Sequence, residues 1–264
     1  MFGQTRSLIG MVHAGALPGT PRASAGIDQL VRHAVDEALI LAEAGFDAVL
    51  VENMHDRPYV HGRKAPEITA SMTRIAHEVR RACGLPTGLQ ILSGGNHEAL
   101  AVALAVGAAF IRCENFVFAH VADEGLLDTA EAGPLLRYRR QIGADQIGIF
   151  ADLKKKHAAH AITADVTLAE AAQAAEFFGA DGVIVTGEWT AQPTNPTHVA
   201  QVRQATGLPV IVGSGVTPPQ IAGLFASADA LIVGSFIKRE GVWSNPIDPA
   251  RCRELVAEAN RHRK

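Results

Sequence analysis

Apolar positions along the chain gather into eight short runs rich in β-branched residues, separated by longer alanine-rich stretches with helical spacing. The runs are SLIGMVH (7–13), DAVLVEN (47–53), TGLQIL (87–92), FIRCE (110–114), IGIFADLK (147–154), DGVIVTG (181–187), PVIVGSG (209–215) and ALIVGSFIK (230–238). Most are continuously apolar rather than alternating, as parallel strands covered on both faces require. Helices are predicted over 28–44, 65–83, 95–106, 129–141, 167–178, 196–205, 218–226 and 248–262. Several pass to the next strand through a glycine link, as in AGFDAVLV and FGADGVIV, where glycine takes the left-handed cap conformation.

Parallel strands need crossover connections, and crossovers are right-handed, so eight βα units in series close into a cylinder. The predicted fold is a single-domain (β/α)8 TIM barrel, and its 264 residues suit that size. An open doubly wound sheet is the alternative. It would carry its phosphate-binding glycine turn after the first strand, whereas the glycine-rich turns here follow the seventh and eighth.

Barrels of this kind place function on the loops after the strands and on the last inward-facing strand residues. Reading each strand end gives His13, then Glu52 and Asn53 with His55, Asp56, His61 and Arg63 beyond them. It continues with Gln90 and Ser93, Arg112, Glu114 and Asn115, Asp152 and Lys154, and Thr186 and Glu188. Two-residue alternation on the fifth strand puts Phe150, Asp152 and Lys154 on one face, and the apolar Ile149, Ala151 and Leu153 toward the helices. Asp152 and Lys154 are therefore expected in the barrel mouth, together with Arg112 and Glu114. The cluster reads either as a catalytic or binding site or as a structural ion-pair layer. Gly213, Ser214 and Gly215 after the seventh strand, with Gly234 and Ser235 after the eighth, occupy the usual phosphate position of barrel enzymes.

Composition and charge narrow the picture. Hydrophobic residues make up 48% and charged residues 19%, and the formal net charge is -3, so nothing global attracts nucleic acid or an anionic membrane. Cys83, Cys113 and Cys252 form no paired spacing and read as reduced thiols. The N-terminus lacks the features of a secretory signal and no apolar run is long enough to span a bilayer, so a cytoplasmic protein without an integral membrane segment is expected. The concentrated positive feature is KKKHAAHAITAD (154–165). Lys155, Lys156, His157 and His160 there read as a solvated loop, as a lid closing over an anionic substrate, or, through the two histidines, as metal ligands.

The segments IGMVHAGALPGTPR, FVFAHVADEGLLD, FADLKKKHAAHAITADVTLAE, DGVIVTG, VGSGVTPPQI and ADALIVGSFIKREGVWSNPIDPARC together resemble the BtpA/SgcQ family over almost the whole chain. The resemblance implies a (β/α)8 barrel, a link to photosystem I biogenesis in cyanobacterial members and to carbohydrate-utilisation operons in others, and no settled reaction. It carries His13, Glu52, Asp152 and Lys154 over as site residues.

Two functions compete. The first is an enzyme acting on a small phosphorylated metabolite, with Lys154 forming a Schiff base or stabilising an enolate as a cation, and Asp152 or Glu52 moving protons. Its metal-assisted form places Mg²⁺ or Mn²⁺ between Glu52, Asp152 and the substrate. The second is a non-catalytic assembly or stability factor, which would use an exposed apolar surface. A homo-oligomer suits either, as barrels often associate.

Overall fold

The computed structural model describes residues 6–187 and 194–263. Eight parallel strands close into a barrel: β1 (Ser7–His13), β2 (Ala48–Glu52), β3 (Thr87–Gln90), β4 (Phe110–Cys113), β7 (Gly148–Leu153), β9 (Gly182–Val185), β10 (Val210–Val212) and β11 (Ala230–Val233). Each predicted run contains one of them. The intervening helices are α1 (Ile27–Ala44), α2 (Pro66–Cys83), α3 (Asn96–Val106), α4 (Ala132–Gln141), α5 (Leu168–Phe177), α6 (Pro196–Ala205), α7 (Ile221–Leu224) and α8 (Pro249–His262). The stretch predicted helical over 218–226 splits into a 3₁₀ turn at Pro218–Gln220 and the short α7.

Two apolar layers hold the barrel. Outward residues such as Leu8, Val49, Val51, Ile111, Ile149 and Val183 pack against the helices with no solvent exposure. Inside, Ile9, Met11, Leu50, Phe110, Phe150, Ile184, Ile211 and Ile232 form a separate plug. Phe110 and Phe150 stack with ring centroids 4.9 Å apart. Space for them comes from glycine on neighbouring strands: a Cβ on Gly88 would lie 2.2 Å from the Phe110 ring, and one on Gly182 would lie 2.9 Å from Phe150.

The sequence pattern gave no hint of a second, small sheet. The connection after β4 folds into a hairpin, β5 (His120–Ala122) and β6 (Gly125–Leu127), and β5 also pairs with β8 (Ala158–Ala159), which follows β7. These strands are too short for periodicity to register, and their pairing joins segments more than thirty residues apart. The sheet ties the loops after two adjacent barrel strands together. No helix among the described residues is long and apolar enough to cross a membrane.

Candidate functional site

Parallel register sets the inward residues of the last strand turn side by side. His13 of β1 pairs with Glu52 of β2, and Glu52 with Gln90 of β3. Two residues beyond Phe110 and Phe150, Arg112 and Asp152 form the next layer above the aromatic plug. The Arg112 guanidinium donates from Nε to both Asp152 oxygens, at 3.1 and 3.0 Å, and both side chains are buried.

Glu52, Gln90, Arg112 and Asp152 face a cavity of about 250 Å³ walled also by Tyr59, Ser93, Glu114, Lys155 and Lys156. A smaller recess adjoins it, formed by Gly213, Ser214, Gly215, Gly234 and Ser235 together with His13. Glu52, Met54, Arg112, Lys156 and Trp243 line both, so the two are lobes of one site. The glycines at the recess serve by their missing side chains: a Cβ on Gly213 would lie 2.7 Å from Ile184 and 3.5 Å from Arg112 Nη2. The Gly213 N–H itself is bonded to the Val185 carbonyl.

The sequence reading is corrected at Lys154. β7 ends at Leu153, and Lys154 takes a left-handed backbone with φ 47°, which breaks the two-residue alternation. Its ammonium lies 3.4 Å from the Thr163 carbonyl oxygen, outside both lobes. The reversal turns the next two residues inward instead. Lys155, expected in a solvated loop or lid, is buried between Glu114 at 3.4 Å and Glu124 at 2.9 Å. Lys156 walls both lobes, and no hydrogen bond holds its ammonium among the described residues. His157 lines the larger lobe, whereas the His160 ring packs against His120 with centroids 5.6 Å apart and its Nε2 faces the Lys155 carbonyl oxygen at 3.0 Å.

Burial governs the charges. It raises Glu52, against the pull of Arg112 and Lys156. Burial, reinforced by Lys238, holds His13 well below the ordinary imidazole value, against the Trp243 carbonyl bond that raises it. Burial and the neighbouring Arg112 lower Lys156, favouring its neutral amine. Glu114 goes the other way: Lys155, the Gly94 amide, Arg112 and Ser93 outweigh burial and keep it ionised. For Arg112, burial is outweighed by Asp152 and Glu52, and its pKa is raised. Burial also raises Asp152 in spite of Arg112. With a guanidinium bonded to both oxygens we read Asp152 as the carboxylate of an ion pair.

Glu52 and Asp152 both face the site, but Asp152 is engaged by Arg112, and no group of three or more metal-ligating side chains occurs among the described residues. Glu188 lies outside the described residues. His61, Arg63 and Asn115 line a separate pocket beside α3. The buried Asp56 accepts from Asn53 and the Leu17 amide and braces the loop after β2. Sequence reasoning missed Trp243, Tyr59 and Glu124. Trp243 carries the Arg57 guanidinium 4.7 Å from its ring centroid, packs on His55, and accepts from His13 Nδ1 through its carbonyl. The signal available was a tryptophan in the connection after the last strand, where functional loops lie.

The fold has counterparts among solved structures. (S)-3-O-geranylgeranylglyceryl phosphate synthase from Thermoplasma acidophilum, in complex with sn-glycerol-1-phosphate, superposes with a TM-score of 0.63 at 16% identity, covering 98% of this chain and 95% of that one. A 3-hexulose-6-phosphate synthase gives 0.60 at 17% identity over 96% and 99%. In sequence, an uncharacterised mitochondrial protein of Caenorhabditis elegans is 42% identical over 98% of this chain and 95% of its own. The photosystem I biogenesis protein BtpA of Synechocystis is 36% identical over 94% and 86%. The sequence profile of the BtpA family matches residues 4–261, and this chain belongs to that family.

Proposed function

We propose that this protein is an enzyme acting on a small, sugar-phosphate-like metabolite by proton transfer or carbon–carbon chemistry beside a carbonyl. The observation that carries the proposal is one recess in which His13, Glu52, Arg112 and Lys156 face the glycine turns after β10 and β11. Those turns are where barrel enzymes commonly hold phosphate, with Gly213 and Gly234 leaving room and Ser214, Gly215 and Ser235 presenting backbone. The names of the structurally similar synthases, each with a phosphate ester in it, support the reading.

Lys156 takes the part expected of Lys154. As a neutral amine it attacks a substrate carbonyl and, with loss of water, forms a Schiff base; as an ammonium it stabilises an enolate. Glu52, raised by burial, is placed to give or take the proton, with neutral His13 beside it. A Mg²⁺ or Mn²⁺ ion between Glu52, Asp152 and substrate is the metal-assisted form, and it would have to compete with Arg112 for Asp152.

A thermal-shift screen against phosphorylated sugars, with and without Mg²⁺, tests the proposal. A ligand at about 100 times its Kd stabilises the native state by about 2.7 kcal/mol. Stabilisation by phosphorylated compounds that is lost in Lys156→Met but kept in Lys154→Met supports it; no stabilisation by any of them refutes it. Borohydride trapping with a stabilising carbonyl compound then separates the two lysine roles, since turnover without a label on Lys156 excludes the Schiff base.

A second reading as an assembly factor has one observation in its favour besides the name of the Synechocystis relative. Val121 and Leu126 are register partners on the small sheet, and both are exposed. An assembly factor would keep its partner when Lys156 and Asp152 are replaced.

A further inference from the structure

The two lobes of the site differ in what they can accept. At the glycine recess, Arg112 is the fixed cation, the Lys156 amine stands beside it, and the glycines line the wall with backbone. Gln90, Ser93, Glu114, Glu124 and Lys155 line the larger lobe and not the recess. There one ammonium lies between two carboxylates, so these three groups together carry a negative charge. Both carboxylates are ionised, because Lys155 and Ser93 outweigh the burial that opposes their charge.

Gln90 supplies an independent observation. It is 2% exposed, faces this lobe, and its Oε1 is buried with no hydrogen-bond partner among the described residues. A buried amide oxygen left unpaired costs about 1–3 kcal/mol, and turning the amide brings that oxygen to the lobe, where a ligand donor removes the cost. Since amide oxygen and nitrogen can be exchanged by a flip, the group that satisfies either orientation is a hydroxyl, which both donates and accepts. A second phosphate or a carboxylate only accepts, and it would face the negative charge that those three groups carry together.

We infer that the site takes a polyhydroxylated monophosphate, its phosphate at the glycine turns and its hydroxyls against Gln90 and the Glu114–Lys155–Glu124 corner, and that it discriminates against bisphosphates and phosphorylated acids. The inference rests on the phosphate reading above and makes Gln90 a specificity-determining residue. A volume of about 250 Å³, just under the roughly 300–1,000 Å³ of drug-sized pockets, suits a ligand this small.

Calorimetric titration of the full chain with inorganic phosphate, D-ribose 5-phosphate, D-ribulose 1,5-bisphosphate and 3-phosphoglycerate tests it. Ribose 5-phosphate is expected to bind about tenfold or more tightly than inorganic phosphate, and the bisphosphate and the acid about tenfold more weakly than ribose 5-phosphate, the size of one buried polar mismatch. Gln90→Leu should weaken ribose 5-phosphate by about tenfold and leave inorganic phosphate unchanged. The ranking on the unaltered protein stands even if that variant misfolds. Bisphosphate or phosphoglycerate binding as tightly as ribose 5-phosphate overturns this inference alone, as does a folded Gln90→Leu protein with unaltered affinities. Failure of all four ligands, inorganic phosphate included, overturns the phosphate reading and this inference with it.

Discussion

Nε2 of His13 stands 3.5 Å from Oε2 of Glu52, at paired register positions where β1 and β2 end in the cavity. Burial pushes the two in opposite directions, Glu52 up from 4.5 and His13 well below 6.5, so the carboxyl is the better proton holder of the pair than their ordinary values would make it. A raised carboxyl binds its proton more tightly in the folded state, so its contribution to stability falls as pH rises from 4.5 toward the raised value. The depressed imidazole contributes in the other sense: its stability is present above 6.5 and is lost as pH falls from there toward the folded value. Urea midpoints measured across these ranges should lose the first slope in Glu52→Gln and the second in His13→Asn.

The Arg112–Asp152 pair is buried on both sides. Removing one partner strands a charge, so Asp152→Leu should cost about 3–5 kcal/mol, and adding Arg112→Met should restore most of it. Equilibrium denaturation of the single and double variants measures both. A double variant no more stable than Asp152→Leu would contradict this account of the pair.

Gly234→Ala separates binding from folding. A Cβ there would meet Met11 at 3.4 Å and His13 at 3.7 Å, which is ordinary contact, so the melting temperature should hardly move. The methyl group would enter the recess, and phosphate affinity should drop about tenfold, a loss of about 1.4 kcal/mol readable by calorimetry.

The small sheet brings His120 of β5 within range of Lys155, and burial with that ammonium lowers the imidazole to about 4. An NMR titration should therefore place its midpoint near 4, and Lys155→Met should move it upward. Because the folded-state value is depressed, stability from His120 is kept above 6.5 and lost as pH falls toward 4. The same variant leaves Glu114 and Glu124 without their shared cation, and amide exchange over 120–127 should quicken.

The sequence by itself determined the barrel. Eight apolar runs and their amphipathic partners are local features, and each coincides with an observed strand. It also determined that His13, Glu52, Arg112 and Asp152 face inward, because strand alternation is strict up to the last paired residue. Alternation carries no information past the end of a strand, and one left-handed residue was enough to move the expected lysine from Lys154 to Lys156. Only the tertiary structure decided that Lys155 lies between Glu114 and Glu124, that Trp243 lines the site against the His13 ring, and that Gln90 has an amide oxygen without a partner among the described residues. Each of those facts joins segments far apart in the chain, and the packing that brings them together leaves no periodic trace in the residues themselves.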